Sequence, residues 1–367
     1  MQYSTNLVIR KEENMAIYKL NGKYQVRVNI RLTTNVYKRL SKTVSTYSEA
    51  KKIEKQLITK NERHNTLLFS DLLDDYLADR KARVKPVTYY TLEKNINRSI
   101  RPYLGSFRIC DIHPGMLLNW QLQIQKRGIA ESTLRNIENL CKTIFQFAEA
   151  FYNLENNPFA KIKYIGKSHQ NEMNFWTVDE FKKVLKTLQG DDLPTERFRL
   201  ILLISFFCGT RLGETFALTR EDINYKEGII HINKTYSYFG GKETILPPKS
   251  KSSIRNIAIP PFLAKKIKQY VSRLPKQQKR LFEGTPKKHQ VDRLKKVARA
   301  ANVKEIRFHD LRHSAVSYWL HLGVPIYDIS KRCGHATPTI TYSVYSHLYP
   351  GDDHITPVLE KAGNHNT

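Results

Sequence analysis

RFHDLRHSAVSYWLHLGVPIYDISKRCGHATPTITYSVYSHL, residues 307–348, holds two short basic constellations and a tyrosine-bearing segment. His309 and Arg312 stand three apart, which on a helix places both side chains on neighbouring faces of one turn. Leu311, Ala315, Trp319 and Leu322 form the buried stripe of the same helix. His313, one turn past His309, goes with that helix packing and drops out of the candidate set. His335 follows a glycine, and Tyr345 comes ten residues later behind a Thr-Pro helix start. These residue types can bind phosphate, donate protons and, through the tyrosine hydroxyl, serve as a nucleophile. Whether they act together depends on what precedes them.

Upstream, FRLILLISFFC (198–208) is apolar on every face, so it must be a central helix of its domain. Gly209 ends it and TRLGETFAL begins another helix, leaving Arg211 at the break. An arginine beside a buried helix must reach a carboxylate or a ligand anion. Glu214 is placed to pair with it and hold its rotamer. GIIHINKT (228–235) and IRNIAIP (254–260) read as strands, and the glycine- and lysine-rich connection between them carries Lys242, Lys249 and Lys251. A lysine on such a turn can be aimed into a groove to protonate an oxygen leaving phosphorus. Two basic amphipathic helices fill 261–302.

Further out, 163–174 (KYIGKSHQNEMN) is polar and aperiodic and reads as a linker, followed by a capping box from Thr177 to Glu180. Residues 66–162 read as all-helical. Ser70 is the expected cap of a helix burying Leu72, Leu73, Tyr76 and Leu77. The next places Tyr89, Leu92, Ile96 and Ile100 on one side, a third starts at Pro114, and the longest runs over 131–152. Residues 15–46 alternate, with Tyr24, Val26, Val28 and Ile30 on one face and Gln25, Arg27, Asn29 and Arg31 on the other. A second basic strand, YKRLSKTV, leads to a short helix capped by Ser48. A small sheet with a basic face plus one helix suits a DNA groove, which makes Arg27 and Arg31 candidate contacts.

The charge balance narrows the partners. Lys+Arg number 61 against 34 Asp+Glu, a net +27, and the basic residues are spread along all 367 positions. In 1–65 alone there are 14 Lys+Arg against 5 Asp+Glu. Such a chain seeks a polyanion, nucleic acid ahead of a membrane surface. The longest apolar run is too short to span a bilayer. Cys110, Cys141, Cys208 and Cys333 form no CxxC pair, which favours a reducing, cytoplasmic setting over a disulfide-bonded exterior.

GTRLGETFAL, PPKSKSSIRNIAIP, FHDLRHSAVSYWL and GHATPTITYSVYSHL, in this order and spacing, resemble the conserved boxes of the tyrosine recombinase (phage integrase) family across roughly 175–348. Residues 15–60 resemble the arm-binding domain of integrases from phages and conjugative transposons of low-GC Gram-positive bacteria. The resemblance implies a multidomain, α-rich α+β chain. Its parts would be an arm-type DNA-binding domain of sheet plus helix (1–65), a helical, SAM-like core-binding domain (66–162), the linker, a mixed α/β catalytic domain (175–350) and a tail (351–367). It implies that Arg211 and Arg312 clamp the scissile phosphate, Tyr345 attacks phosphorus, and Lys251 protonates the leaving 5′-oxygen. His309 would assist at the tyrosine, His335 would donate to the phosphate, and Glu214 would orient Arg211. Lys249 competes with Lys251, because hairpin length varies in the family; it is otherwise a DNA contact. Tyr342 and Tyr349 are the rivals of Tyr345. No metal or other cofactor is implied. The implied partners are double-stranded DNA at core-type and arm-type sites, further copies of the chain in a tetramer, and accessory proteins such as an excisionase or a host DNA-bending protein. The tail's apolar cluster of Ile355, Val358 and Leu359 would dock on a neighbouring copy.

Two other readings compete. A type IB topoisomerase shares the chemistry but has no use for a second sequence-specific site, so the N-terminal domain argues against it. A zinc-stabilised DNA-binding module would use His309, His313, Cys333 and His335, but Cys-x-His is an uncommon ligand spacing.

Overall fold

The computed structural model describes residues 8–12, 15–33, 36–167, 173–248 and 250–345. Lys249, Tyr349 and the tail from 351 onward lie outside the described residues. The chain divides into two compact units, Met1–Gln170 and Asn171–Thr367.

The first unit opens with an antiparallel meander: β1 (Val8–Glu12), β2 (Met15–Leu20), β3 (Lys23–Thr33) and β4 (Val36–Val44), in that order. Asn21 and Gly22 both take positive φ (47° and 76°), the tight hairpin turn that an Asn-Gly pair favours. Ile17 pairs with Val26 across β2 and β3, and both bury against Ala50 of α1 (Tyr47–Thr66). The helix is not capped by Ser48, as the sequence suggested. Thr46 Oγ1 accepts the Glu49 N–H (3.2 Å) while Glu49 accepts the Thr46 N–H (3.3 Å), a reciprocal box whose cap lies two residues before Ser48.

The helices that follow are α2 (Phe69–Arg83), α3 (Pro86–Ser99), α4 (Arg101–Leu104), α5 (Pro114–Gln125) and α6 (Glu131–Tyr152). Their core contains Leu72, Leu73, Ile96 and Ile100, whose helical spacing marked them, together with Leu117, Trp120, Cys141, Ile144 and Phe145 of the two later helices. Ser70 does not cap α2: the N-cap is Leu68, whose side chain makes no capping bond, and Ser70 sits inside the first turn. Buried Glu138 of α6 accepts the N–H groups of Ile165 (2.9 Å) and Gly166 (3.2 Å), so the start of the expected linker is bound to this unit.

The second unit is built on α8 (Leu193–Cys208), preceded by α7 (Val178–Thr187). Phe206 of α8 stacks on Phe181 of α7 at 4.0 Å and 5°, and its removal should cost about 3–5 kcal/mol. The capping box on α7 forms as read: Glu180 accepts the Thr177 N–H (2.7 Å) and Thr177 Oγ1 accepts the Glu180 N–H (3.2 Å). After α9 (Leu212–Ala217) comes a sheet of β5 (Ile223–Asn224) and β6 (Ile229–Ile232), completed by a later strand, and a separate hairpin of β7 (Thr235–Phe239) and β8 (Lys242–Leu246). That hairpin corrects the sequence reading, which treated the segment as a connection; Gly240 (φ 58°) and Gly241 (φ 76°) form its turn. The sheet's third strand is β9 (Arg255–Ala258), followed by α10 (Pro261–Ser272), α11 (Lys287–Ala300), α12 (Phe308–His321), α13 (Ile326–Cys333) and α14 (Pro338–Tyr345). The whole is helix-rich α+β with small antiparallel sheets. No helix among the described residues is long and apolar enough to cross a membrane.

Candidate active site

Helix α8 stops at Gly209, which takes φ +61°, and α13 stops at Gly334, with φ +68°. Their last carbonyls carry the partial negative charge of a helix C-terminus in a buried setting. Arg312 of α12, only 2% exposed, lies between these two ends. Its Nη1 donates to the Gly209 carbonyl (2.8 Å) and its Nη2 to the Cys333 carbonyl (2.7 Å). Two of five guanidinium donors are thus spent on scaffold. Arg312 thereby ties together the break that carries Arg211 and the turn that carries His335.

Arg211 is the N-cap residue of α9. Glu214 accepts its backbone N–H (3.0 Å) and its Nη1 (2.8 Å), while over a third of the Arg211 side chain stays open to solvent. The same carboxylate accepts Arg255 Nη2 (2.9 Å), and Arg255 Nε donates to the Arg332 carbonyl (2.7 Å). Burial pushes the Glu214 pKa up, but Arg255 and Arg211 overcome this and hold it below the usual carboxylate range. Arg255 was missed by the sequence reading. It begins a short strand, where nothing in the residue pattern marks an inward-turned cation.

Lys251 is exposed, on a 3-10 turn (Lys251–Ser253) leading into β9 and not on the β7–β8 hairpin turn itself. A Cβ on Gly334 would lie 2.9 Å from the Ser252 carbonyl oxygen. Glycine there is what lets the lysine turn pack beside the His335 loop. His335 is half-buried, with Nδ1 2.7 Å from Thr341 Oγ1 of α14. Burial first, then Arg312 and Arg211, push its pKa down to about 4. At neutral pH its ring is uncharged; in the tautomer whose Nδ1 accepts from the Thr341 hydroxyl, Nε2 carries the proton and is a donor for an anion. His309 reaches solvent at its edge, yet crowding of its ring and the neighbouring Arg312 lower its pKa as well.

Tyr345 is 2% exposed, its ring among Ala315, Val316, Trp319, Leu320, Ile329 and Cys333. Its hydroxyl meets His313 Nδ1 at 2.6 Å. This corrects the sequence reading, which set His313 aside as part of the helix packing: the same one-turn spacing from His309 that suggested a bland role carries its ring to the tyrosine. Tyr342, by contrast, is 60% exposed. In the other unit, Arg27 is half-buried on β3, its Nε donating to Gln25 Oε1 (3.0 Å) and its guanidinium 4.7 Å from the Tyr18 ring centre. Arg31 pairs with Tyr37 in the β3–β4 ladder, and its side chain is outside what the structure describes. Among the described residues, no group of three His, Cys, Asp or Glu is brought together as a metal site.

Arg211, Arg312, His309, His335 and the lysine turn thus converge around two helix ends, the arrangement expected of a site for a phosphodiester. Residues 174–351 match the profile of the phage integrase family, and 68–125 match the phage integrase N-terminal SAM-like domain. The chain belongs to the phage integrase family of tyrosine recombinases. A tyrosine recombinase is a DNA strand-transferring, site-specific enzyme, and this chain is one. It is similar to the ICEBs1 integrase of Bacillus subtilis (strain 168), 28% identical over 362 residues, covering 92% of this chain and 96% of the relative. The integrase of Staphylococcus phage L54a is 25% identical over 338 residues, 81% of this chain and 94% of that one. Among solved structures, the Tn1549 transposon integrase in complex with a circular intermediate DNA superposes with TM-score 0.66 at 17% identity, covering 81% of this chain and 99% of that one. A lambda integrase tetramer bound to a Holliday junction gives 0.57 at 17%, covering 90% and 97%. These last likenesses establish the tyrosine recombinase fold.

Proposed function

We propose that this recombinase integrates and excises a mobile element by cutting and rejoining DNA through a covalent tyrosyl intermediate at the site described above. The Tyr345 oxygen attacks the scissile phosphorus while the P–O5′ bond breaks, leaving a 3′-phosphotyrosyl link and a free 5′-hydroxyl. Lys251 delivers the proton to the departing 5′-oxygen. Arg211, Arg312 and neutral His335 hold the non-bridging oxygens and meet the charge that grows in the pentacoordinate transition state. His309 assists proton transfer at the tyrosine, and Glu214 orients Arg211. Attack by a 5′-hydroxyl from the partner strand reverses the step, so the energy of the phosphodiester is stored and no metal or nucleotide is required.

The observation that carries this reading is Arg312, whose two carbonyl partners hold the Arg211 break and the His335 turn on either side of one guanidinium. The lambda integrase seen as a tetramer on a Holliday junction supports the same assembly here. In this reading the N-terminal sheet reads arm-type sites, the helical domain and the catalytic domain hold core-type sites, and the tail links neighbouring copies. The protein would act on DNA in the bacterial cytoplasm, helped by an excisionase or a DNA-bending protein. With a charge of +27, affinity should fall steeply with salt.

The test is strand exchange between two core-site duplexes in EDTA. Recombinant products without added metal support the reading. Relaxation of supercoiled DNA with no exchange would mean a topoisomerase, and loss of folding in chelator would mean a zinc module.

A further inference from the structure

Taking Tyr345 as the nucleophile, we propose that His313 is a positioning residue that seats the Tyr345 hydroxyl in a buried, unreactive place until DNA-bound assembly breaks the contact. The hydroxyl lies 2.6 Å from His313 Nδ1, and the two ring centres are 5.5 Å apart. His309 closes the other side of His313 at 5.0 Å, edge to face. A nucleophile must come within about 3–3.5 Å of phosphorus along an open line. Tyr345 is 2% exposed, so no phosphate approaching from solvent can reach it in this position.

The groups facing this contact favour a neutral pair. Burial, with His309, Arg307 and Arg312 nearby and Asp310 opposing them, brings the His313 pKa down to about 4. An uncharged ring has one acceptor and one N–H, so Nδ1 shares a hydrogen bond with the phenol hydroxyl in either tautomer. Burial also pushes the Tyr345 pKa up, assisted by Cys333 and Asp310 and opposed by Arg312, so the phenol keeps its proton.

The element that carries Tyr345 is lightly held. Of α14, only Thr341 and Tyr345 are buried, while Ile340, Tyr342 and Val344 are exposed. Among the described residues, the hydroxyl contacts of Thr341 to His335 and of Tyr345 to His313, with the Tyr345 ring in its apolar seat, hold the helix. A pre-equilibrium between seated and released tyrosine lowers the apparent cleavage rate by the released fraction. Weakening the seat should therefore speed cleavage.

The experiment uses the full chain without DNA, tetranitromethane as the tyrosine probe, and peptide mass mapping. Exposed Tyr342 is the internal reference, and Tyr270, wholly buried in the main core, reports unfolding. His313→Leu should raise Tyr345 nitration relative to Tyr342 at least fivefold. His313→Asn, whose amide oxygen can stand where Nδ1 stood, should stay within twofold of wild type. If His313→Leu nitrates Tyr270, His313→Ala replaces it. On a nicked core-site duplex, the Leu or Ala variant should form covalent adduct two- to tenfold faster. Unchanged Tyr345 protection, an Asn variant that behaves like Leu, or adduct formation no faster than wild type each overturns the proposal. If the wild-type adduct maps to another tyrosine, the nucleophile assignment fails instead, and the nitration arm still reports whether the seat exists.

Discussion

Glu214→Gln removes one negative charge from beneath three donors: the Arg211 N–H, the Arg211 guanidinium and the Arg255 guanidinium. Arg255 and Glu214 are 6% and 4% exposed, so water cannot replace the lost partner. Breaking a buried pair by removing one member costs about 3–5 kcal/mol. Arg211, more than a third exposed, rehydrates and adds little. For a unit of this size about 1 kcal/mol shifts Tm by ~2–4 °C, and the amide retains one acceptor oxygen, so a fall of roughly 6–12 °C is expected. The folded-state pKa of Glu214 is depressed, so its contribution is present above the unfolded carboxylate value and lost as pH falls through the folded one. The gap between wild type and variant should therefore narrow in acid. Calorimetry of the full chain measures both effects, with Glu305→Gln, on an exposed pair with Arg299, as a control whose Tm should not move. A Glu214→Gln Tm within about 2 °C of wild type would refute the reasoning.

Arg312→Lys should lower cleavage at least ~100-fold, because one ammonium cannot cap two carbonyls and still face a phosphate; single-turnover cleavage of a nicked duplex measures it. Gly334→Ala places a side chain at φ +68° and 2.9 Å from the Ser252 oxygen, so it should destabilise by more than the ~1–2 kcal/mol of the backbone alone. Gly323→Ala, at φ +76° with open space around it, should show only the backbone cost in urea titrations. His313 and His335 have folded pKa values near 4, below the unfolded ~6.5, so the unfolded chain binds more protons between them. Stability should fall as pH drops from 6.5 toward 4, and His335→Asn should flatten that slope in urea unfolding measured at each pH.

Much of the site was legible because its residue types sit at breaks in strong periodic patterns. The all-apolar run to Cys208, ended by a glycine, had to be a buried helix, and a cation directly after it had to be functional or paired; Arg211 is both exposed and held by Glu214. The apolar faces from Leu72 to Ile100 followed from spacing alone. Local caps were harder. Thr46 and Ser48 are equivalent candidates by type, and only the reciprocal bond to Glu49 decides between them. The β7–β8 hairpin was hidden inside a longer connection marked by Lys242, Lys249 and Lys251, although Gly240-Gly241 signalled a turn. Arg255 and His313 were lost for another reason. Their roles arise from contacts with residues 41 and 32 positions away, and no local pattern encodes such pairing.

The central claim is that Tyr345 becomes covalently joined to DNA. The direct measurement is trapping on a nicked core-site duplex, resolved by denaturing gel. Wild type should form a 3′-linked adduct, Tyr345→Phe should form none, and Tyr342→Phe and Tyr349→Phe should trap as wild type does. An adduct that persists in Tyr345→Phe contradicts the account.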